Sequence, residues 1–269
     1  MEAPPAPGTL GGVTAGPATP TAPTLALDDV HLRFGGTVDA LAGVRLSVAP
    51  GEFVALLGPS GCGKSTALRL AAGLLEPSSG RVRRGGDESA TAFVFQEPTL
   101  MPWASVFDNV WLPLRLQGRP RPQAEAAVRA QLAAVGLADF ERAYPAQLSG
   151  GMKMRASIAR ALVTRPALLL MDEPFAALDD LTRQKLQQDL LAWWQRLQPA
   201  VLFVTHHVSE AVALSGRVLV MSPRPGRVVA EVVIDAPHPR PADFRHSPLF
   251  HDRCRAVADA MEQAMGVAR

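Results

Sequence analysis

The stretch Gly58-Pro59-Ser60-Gly61-Cys62-Gly63-Lys64-Ser65-Thr66 decides the fold of this chain. It fits the pattern G-x-x-x-x-G-K-[ST], in which a glycine-rich loop joins a strand to a helix. Glycines let such a loop wrap tightly, so that successive backbone N–H groups point inward at phosphate oxygens. Residues 53–57 before the loop form a short apolar segment, which predicts a strand, and residues 64–75 after it predict a helix. That helix would present its positive N-terminal end to the same anion.

The residues of this loop have separate expected roles toward a nucleoside triphosphate. We expect Lys64 to neutralise the β- and γ-phosphates, the Ser65 hydroxyl to ligate Mg²⁺, and Thr66 to reach the α-phosphate side. Cys62 is expected to have a structural role, and the alternative is a thiolate favoured by the helix N-terminus and by Lys64. A chance glycine-rich turn is the alternative, and it would match the four fixed positions in roughly one chain in a hundred. The expected cradle consists of Gly58, Pro59, Ser60, Gly61, Cys62 and Gly63.

Two carboxylates follow an apolar segment further along the chain. Residues 167–171 are apolar throughout, as a buried parallel strand must be, and Asp172 and Glu173 come directly after them. Ligands of parallel sheets bind at the carboxyl edge, where both side chains would lie. We expect Asp172 to hold Mg²⁺, usually through a water molecule, and Glu173 to polarise an attacking water as general base. On their own, both acids fit a helix N-cap or a solvated loop equally well.

The composition excludes a collagen, a disulfide-stabilised miniprotein and an integral membrane protein. The 269 residues are 48% hydrophobic and 19% charged, which is typical of a globular chain of one large or two small domains. A net charge of +2 gives no reason to expect nucleic acid as a partner. Two distant cysteines, Cys62 and Cys254, make no disulfide framework and suit a reducing compartment. No apolar run approaches the roughly 20 residues of a membrane span.

The order of the segments predicts an α/β fold with a mainly parallel sheet. Residues 1–24 are almost entirely Pro, Ala, Gly and Thr, which indicates a disordered tail without a signal peptide, or else a docking segment. Residues 104–147 are mainly helical and separate the two halves of the sheet. The remaining predicted strands are 25–34, 44–48, 92–95, 201–204, 218–221 and 227–234. The remaining predicted helices are 123–135, about 149–163, 180–197 and 250–265.

The segment Leu148-Ser149-Gly150-Gly151-Met152, together with the phosphate-binding loop, resembles the signature of the ATP-binding cassette (ABC) ATPases. Other landmarks of that family occur in order over residues 25–235. The resemblance assigns Phe34 to adenine stacking and Gln96 to the magnesium and catalytic site. It assigns Asp179 to the D-loop, as a residue that contacts the nucleotide, and His206 to the catalytic switch histidine. Taken singly, Phe34 also fits a strand surface, Gln96 fits a solvated loop and His206 fits a strand end. Asp179 and Ser149 each fit a helix N-cap.

This resemblance implies a fold, an activity and an assembly. The fold would be a P-loop core with an antiparallel β subdomain, a helical subdomain inserted at about 97–165, and a C-terminal extension over 236–269. The activity would be ATP hydrolysis with Mg²⁺. Ser149 and the amides of Gly150 and Gly151 would complete the nucleotide pocket of a second copy, in a head-to-tail homodimer with two sites.

Further segments resemble the nitrate, sulfonate and taurine importers of that family. Such a subunit would lie peripherally on the cytoplasmic face of the inner membrane, paired with a permease and indirectly with a solute-binding protein. The alternatives are a soluble ABC ATPase without a transport role and a scaffold that has lost its ATPase activity. The segments that carry the resemblance are Leu100-Met101-Pro102-Trp103, Met152-Lys153-Met154-Arg155, Asp179-Asp180-Leu181-Thr182-Arg183 and Ser222-Pro223-Arg224-Pro225-Gly226-Arg227.

Two positions depart from the pattern of that family. His207 stands where the family usually has Asp, and Ala176 stands where this subfamily usually has Gly or Ser. Neighbouring side chains of an extended segment point to opposite sides. We therefore expect that only one of His206 and His207 faces the γ-phosphate, and the resemblance selects His206.

Overall fold

The computed structural model describes residues 22–85, 90–241 and 243–266, which contain two sheets and seven α-helices. The strands are β1 (Leu25–Phe34), β2 (Val38–Val48), β3 (Phe53–Leu57), β4 (Ser79–Arg84), β5 (Thr91–Val94), β6 (Leu168–Asp172), β7 (Ala200–Thr205), β8 (Arg217–Met221) and β9 (Val228–Val233). The helices are α1 (Lys64–Ala71), α2 (Val106–Leu116), α3 (Arg121–Ala134), α4 (Gly150–Leu162), α5 (Asp180–Leu197), α6 (Val208–Leu214) and α7 (Pro248–Ala264).

The six-stranded sheet has the order β5-β6-β7-β3-β8-β9, and all its neighbouring pairs are parallel except β8 with β9. Strand β3 lies inside this sheet between β7 and β8, and all five of its residues are buried. Strands buried on both faces have no reason to alternate polar and apolar residues, which explains their continuous apolar runs. The α/β fold with a mainly parallel sheet is therefore confirmed.

The smaller sheet is antiparallel, in the order β2-β1-β4. Strand β2 begins at Val38, six residues earlier than predicted, and the prediction omitted β4 altogether. Neither of the missed segments alternates polar and apolar residues. Ala40 and Leu41 are adjacent and both buried at the start of β2, whereas β4 consists mainly of exposed or half-buried polar residues. Of the predicted tail, residues 1–21 lie outside the described residues, whereas Thr24 is buried and its carbonyl accepts from the Gly85 amide at 2.7 Å.

Helices α2, α3 and α4 lie between β5 and β6 in the chain and pack on one another through buried apolar side chains. Asn109 of α2 is fully buried, and its amide holds the preceding segment by bonding to Met101, Ala104 and Ser105. Helix α1 ends at Ala71, earlier than the predicted 75, because Gly73 adopts a φ of +74° just after it.

The C-terminal residues pack onto the main core instead of forming a separate unit. Phe244, Phe250 and Val257 are buried in the same cluster as β3 and β7 residues. Helix α6, which the sequence analysis did not predict, lies against α7. Within the described ranges, no helix combines the length and the hydropathy needed to cross a membrane.

Burial of His238 makes the stability of this extension sensitive to acid. Both ring nitrogens are buried without a hydrogen-bond partner within the described residues, and the ring meets Trp194 edge-on at 4.8 Å. Burial, aided by the charge of Arg240, lowers the pKa of His238 to about 4. The unfolded chain therefore binds a proton between pH 6.5 and 4 that the folded chain does not, so stability falls as pH falls through this window.

We expect the substitution His238→Phe to flatten this pH dependence. Between pH 7 and pH 5 the wild type should lose about 1 kcal/mol more unfolding free energy than the variant, after allowance for partial exposure of the ring. Urea unfolding at both pH values measures this difference. The exposed residue His246 provides the control, and His246→Phe should follow the wild type. Equal losses in wild type and His238→Phe would contradict the assignment.

Candidate functional site

Three parallel strands end at one level and gather the candidate site. Leu57 of β3 pairs with Thr205 of β7, and Val204 of β7 pairs with Asp172 of β6. The residues that follow these strand ends therefore emerge at one edge of the sheet. They are the phosphate-binding loop after β3, Glu173 after β6 and His206 after β7, as the sequence analysis expected.

The phosphate-binding loop is held in shape from both sides. Gly63 has a φ of +106°, and a Cβ built there would lie 2.7 Å from Leu41 Cδ2 on β2. This position thus requires glycine for both its backbone angle and its space. The buried Lys64 amine donates to the carbonyl oxygens of Gly58 at 2.8 Å and Pro59 at 3.0 Å. Those oxygens keep the cation at the mouth of the loop, where an anion would meet it.

Ser65 and Asp172 form an oxygen pair suited to magnesium. The Ser65 hydroxyl donates to Asp172 Oδ1 at 2.9 Å, and burial raises the pKa of the Asp172 carboxyl despite this bond. Among the described residues, no group of three or more His, Cys, Asp and Glu side chains could hold a metal. Mg²⁺ prefers hard oxygen ligands and few protein groups, taking the rest from water and phosphate. The donor set therefore fits this ion.

Glu173 is held in a backbone conformation that non-glycine residues seldom adopt. Its φ is +43°, and its amide donates to the Val204 carbonyl at 3.0 Å. The turn aims its carboxylate between two basic groups, with Oε1 lying 3.7 Å from Lys64 Nζ and Oε2 lying 2.8 Å from His206 Nδ1. Such strain in a protein is often stored at a functional site. Glu173 thus stands next to the expected phosphate position, as a general base would.

Of the two interpretations of Cys62, the favoured thiolate is wrong. Cys62 is buried, and burial raises the pKa of its thiol, outweighing the opposite effect of the Lys64 charge. The side chain instead fills space beneath the loop, since a Cβ on Gly58 would lie 2.9 Å from its sulfur.

Ser149, Gly150 and Gly151 lie on the helical layer, and the described contacts do not join them to the phosphate-binding loop of their own chain. Ser149 is exposed at the N-cap of α4 and accepts from the Met152 amide at 3.3 Å. A Cβ on Gly151 would lie 2.6 Å from Thr182 Cγ2, so glycine allows α4 to approach α5 closely.

Asp179, the D-loop acid, is the N-cap of α5. Its Oδ1 accepts from the Thr182 amide at 3.0 Å. This backbone hydrogen bond is the main reason that the pKa of its carboxyl is lowered. The structure thus shows the capping role that the sequence analysis left open as the alternative. The predicted contact of Asp179 with nucleotide stays a prediction.

Phe34 and Gln96 lie at the margins of the site. Phe34 ends β1 and is 45% exposed, which leaves its ring free to stack. Gln96 follows β5 at the same sheet edge as Asp172, because Val94 pairs with Met171. Its side chain is exposed, and the contacts seen among the described residues do not tie it to the Ser65–Asp172 pair.

The sequence analysis missed the residue that supports the Gln96 segment. Arg160, near the end of α4, donates to the carbonyls of Pro98 at 3.0 Å and Thr99 at 2.8 Å. Thr99 has a φ of +47°, and burial lowers the pKa of the Arg160 guanidinium. The helix that begins at Ser149 therefore also holds the segment after Gln96. Only the fold brings these residues together, so no local sequence signal could have found the contact.

The expected opposite orientation of the two histidines is also wrong. Their ring centroids lie 4.0 Å apart with the ring planes inclined by 40°. The cause is that β7 ends at Thr205 and His207 already caps α6, so the alternation of an extended strand does not apply. His206 still makes the contact with Glu173, and His207 packs on the ring of His206.

Comparison with known proteins identifies relatives of this chain. The family profile described as ABC transporter matches residues 41–176. The aliphatic sulfonates import ATP-binding protein SsuB of Granulibacter bethesdensis is 50% identical over 228 residues, which are 84% of this chain and 91% of that protein. The taurine import ATP-binding protein TauB of Rhizobium johnstonii is 48% identical over 208 residues, 76% of this chain and 79% of that protein.

One solved structure with a similar fold carries a nucleotide. It is the dimeric structure of a post-hydrolysis state of the ATP-binding cassette MJ0796 bound to ADP and Pi. Its TM-score with this chain is 0.68 at 31% identity, and the match covers 78% of this chain and 98% of that one.

The contacts of the histidine pair predict unequal roles in ATP hydrolysis. His206→Ala should lower kcat by about 10²–10³-fold with little change in ATP affinity, because it removes the group that contacts Glu173 at 2.8 Å and is expected to face the reacting phosphate. His207→Ala should lower kcat only a few-fold, through loss of ring packing. Steady-state ATPase assays measure both effects.

His207→Phe serves as the matched control, since it keeps an aromatic ring without ring nitrogens. It should have near wild-type kcat. An inactive His207→Ala together with a nearly normal His206→Ala would show that the switch histidine is assigned to the wrong residue.

Proposed function

Because this chain belongs to the ABC transporter family of ATP-binding proteins, we propose that it hydrolyses ATP to energise import of a small solute. The observation that carries this function is the position of Glu173 between Lys64 and His206, beside the Ser65–Asp172 pair. That arrangement contains a phosphate-binding cation, a base and an orienting group at one sheet edge. It is what hydrolysis of a phosphoanhydride by water requires.

Each side chain of this site has a task in the proposed reaction. The loop amides and Lys64 hold the β- and γ-phosphates, replacing the carbonyl contacts of the Lys64 amine. Glu173 accepts the proton of the attacking water, and His206 fixes the direction of the Glu173 carboxylate through its 2.8 Å contact. Ser65 and Asp172 would hold Mg²⁺, which when bound neutralises phosphate charge. Phe34 offers a ring for the adenine, and Gln96, which follows β5 at the same sheet edge, is proposed to reach the magnesium site.

We propose that two copies sandwich two ATP molecules in a head-to-tail dimer. Support comes from Ser149, whose exposed helix N-terminus faces no phosphate-binding loop in its own chain within the described contacts. A helix N-terminus with free amides binds anions, so it can complete the pocket of a second copy. The related ADP-bound structure is dimeric. Asp179 lies beside this helix and would approach the same interface.

The permease is proposed to dock near the segment after Gln96. Trp103 is 76% exposed and Leu116 is 79% exposed, and both lie on or beside the helical layer that Arg160 ties to that segment. Exposed large apolar side chains of this kind mark interaction surfaces. The subunit would then sit peripherally on the cytoplasmic face of the inner membrane, and a solute-binding protein would contact the permease.

The imported solute is proposed to be a small sulfonate such as taurine, or a similar anion such as nitrate. The support is the names of the relatives, which are import subunits for aliphatic sulfonates and for taurine. Transport assays with the neighbouring permease and binding protein would test this choice, because those subunits contact the solute.

Glu173→Gln should retain ATP binding and lose turnover, because the water loses its base while the phosphate loop stays intact. We expect kcat to fall by about 10²–10⁴-fold. With ATP present, the variant should form a dimer that size-exclusion chromatography resolves. Glu76→Gln makes the same chemical change at an exposed position and should behave as wild type. Normal turnover in Glu173→Gln would remove Glu173 from this role.

Mixing two inactive variants tests whether Ser149 acts on the partner's nucleotide. Lys64→Ala disables the phosphate loop, and Ser149→Arg disables the helix N-terminus. A heterodimer of the two contains one intact composite site, so the mixture should recover part of the wild-type ATPase rate. If subunit exchange is confirmed and the mixture stays inactive, the sandwich arrangement is wrong.

A further inference from the structure

A buried polar network runs from the C-terminal extension to the segment that carries His206. Its centre is Glu210 of α6, which is only 4% exposed. A buried carboxylate is costly unless its charge is paired and its oxygens accept hydrogen bonds. The conformation around Glu210 therefore depends on the donors that surround it.

The first donor belongs to the switch segment. The Thr205 hydroxyl donates to Glu210 Oε2 at 2.6 Å, and the same hydroxyl oxygen accepts from the His207 amide at 3.0 Å. Thr205 is itself buried. These two bonds fix the backbone on both sides of His206, and so they fix the direction from which His206 meets Glu173.

The second partner of Glu210 is Arg183 on α5, which also holds the segment between Glu173 and that helix. Arg183 places Nε 3.7 Å from Glu210 Oε1 and donates to the carbonyls of Phe175 at 3.3 Å and Leu178 at 2.7 Å. Glu210 thus anchors the arginine that holds the D-loop backbone. One carboxylate supports both loops that flank the proposed base.

The third partner, Gln187, connects Glu210 to the C-terminal extension. Gln187 of α5 is buried and donates from Nε2 to Glu210 Oε1 at 2.9 Å, while its Oε1 accepts from Arg245 Nη2. An amide side chain has one accepting and one donating end. With its oxygen bonded to a guanidinium, the Gln187 amide must turn its nitrogen toward Glu210. Arg245 therefore sets the orientation of the amide that stabilises the buried carboxylate.

We propose that Arg245 is a positioning residue for ATP hydrolysis, acting through Gln187 and Glu210 on the His206 segment. Without Arg245, the Gln187 amide is free to rotate, and its oxygen would then repel the Glu210 carboxylate. Glu210 would lose one donor, and its hold on Thr205 and Arg183 would loosen. Through this path the extension after β9 supports the active-site loops. The catalytic consequence rests on the proposed function, whereas the structural link does not.

The test compares Arg245→Met with Arg253→Met. Arg253 lies on α7 of the same extension, where it pairs with Asp235 at 3.3 Å and does not touch the network. Arg245→Met should lower kcat by roughly 3- to 20-fold with KM for ATP within about twofold, and Arg253→Met should match wild type. Arg245→Lys, which keeps a cationic donor, should recover most of the rate. A loss caused only by partial unfolding would lower kcat and the folded fraction together, which circular dichroism detects.

A double-mutant cycle then shows whether the effect passes through Gln187. In a Gln187→Met background the link is already broken, so adding Arg245→Met should cost less than twofold. Full additivity of the two losses would overturn the proposed path. Equal kcat in wild type and Arg245→Met would overturn the proposal as a whole.

Amide hydrogen exchange separates this inference from the proposed function. Arg245→Met should speed exchange in peptides covering residues 205–210, whereas Arg253→Met should leave these peptides unchanged. This readout needs no ATP. If the wild type showed no ATPase activity but the exchange difference were present, the proposed function would fail and the link would stand. Unchanged exchange in Arg245→Met would refute the link.

Discussion

The parallel register of β6, β7 and β3 is the constraint on which the site depends. Leu57 stands opposite Thr205, and Val204 stands opposite Asp172, so three loops leave the sheet at the same level. A shift of one residue in this register would move Glu173 by more than 3 Å relative to its neighbours and turn the strand's side chains to the opposite face. The backbone ladders from β3 to β7 and from β7 to β6 hold this register inside the buried sheet.

The site brings together charged groups, each of which would be costly to bury without a partner. Lys64 rests on loop carbonyls, and Glu173 lies between Lys64 and His206. Behind them, Glu210 is satisfied by Thr205, Gln187 and Arg183. In the proposed function, Lys64 exchanges its carbonyl contacts for phosphate, whereas Glu210, Gln187 and Thr205 are buried behind it. This division separates side chains that act on a ligand from side chains that hold them in place.

The helical layer and the C-terminal extension act on this edge from two sides. Helix α4 is capped by Ser149 at its N-terminus, and Arg160 in its last turn donates to carbonyls of the segment after Gln96. The extension reaches the opposite side through Arg245. Both contacts use arginine, whose several N–H donors can satisfy more than one acceptor at once. A movement of the helical layer or of the extension would therefore displace residues at the sheet edge that carries the candidate site.

The phosphate-binding loop, the buried parallel strands, the carboxylate pair at the end of β6 and the order of the family landmarks follow from the sequence alone. These features are local, because spacing and apolar runs reflect the backbone geometry of a few adjacent residues. Tertiary structure decided the stacked histidines, the enclosed Cys62 thiol, the strand β4 and the contact between Arg160 and the Gln96 segment. The last three depend on residues distant in the chain or on burial, which leave no periodic signal in the sequence. The stacked histidines depend on β7 ending at Thr205, directly before the N-cap of α6.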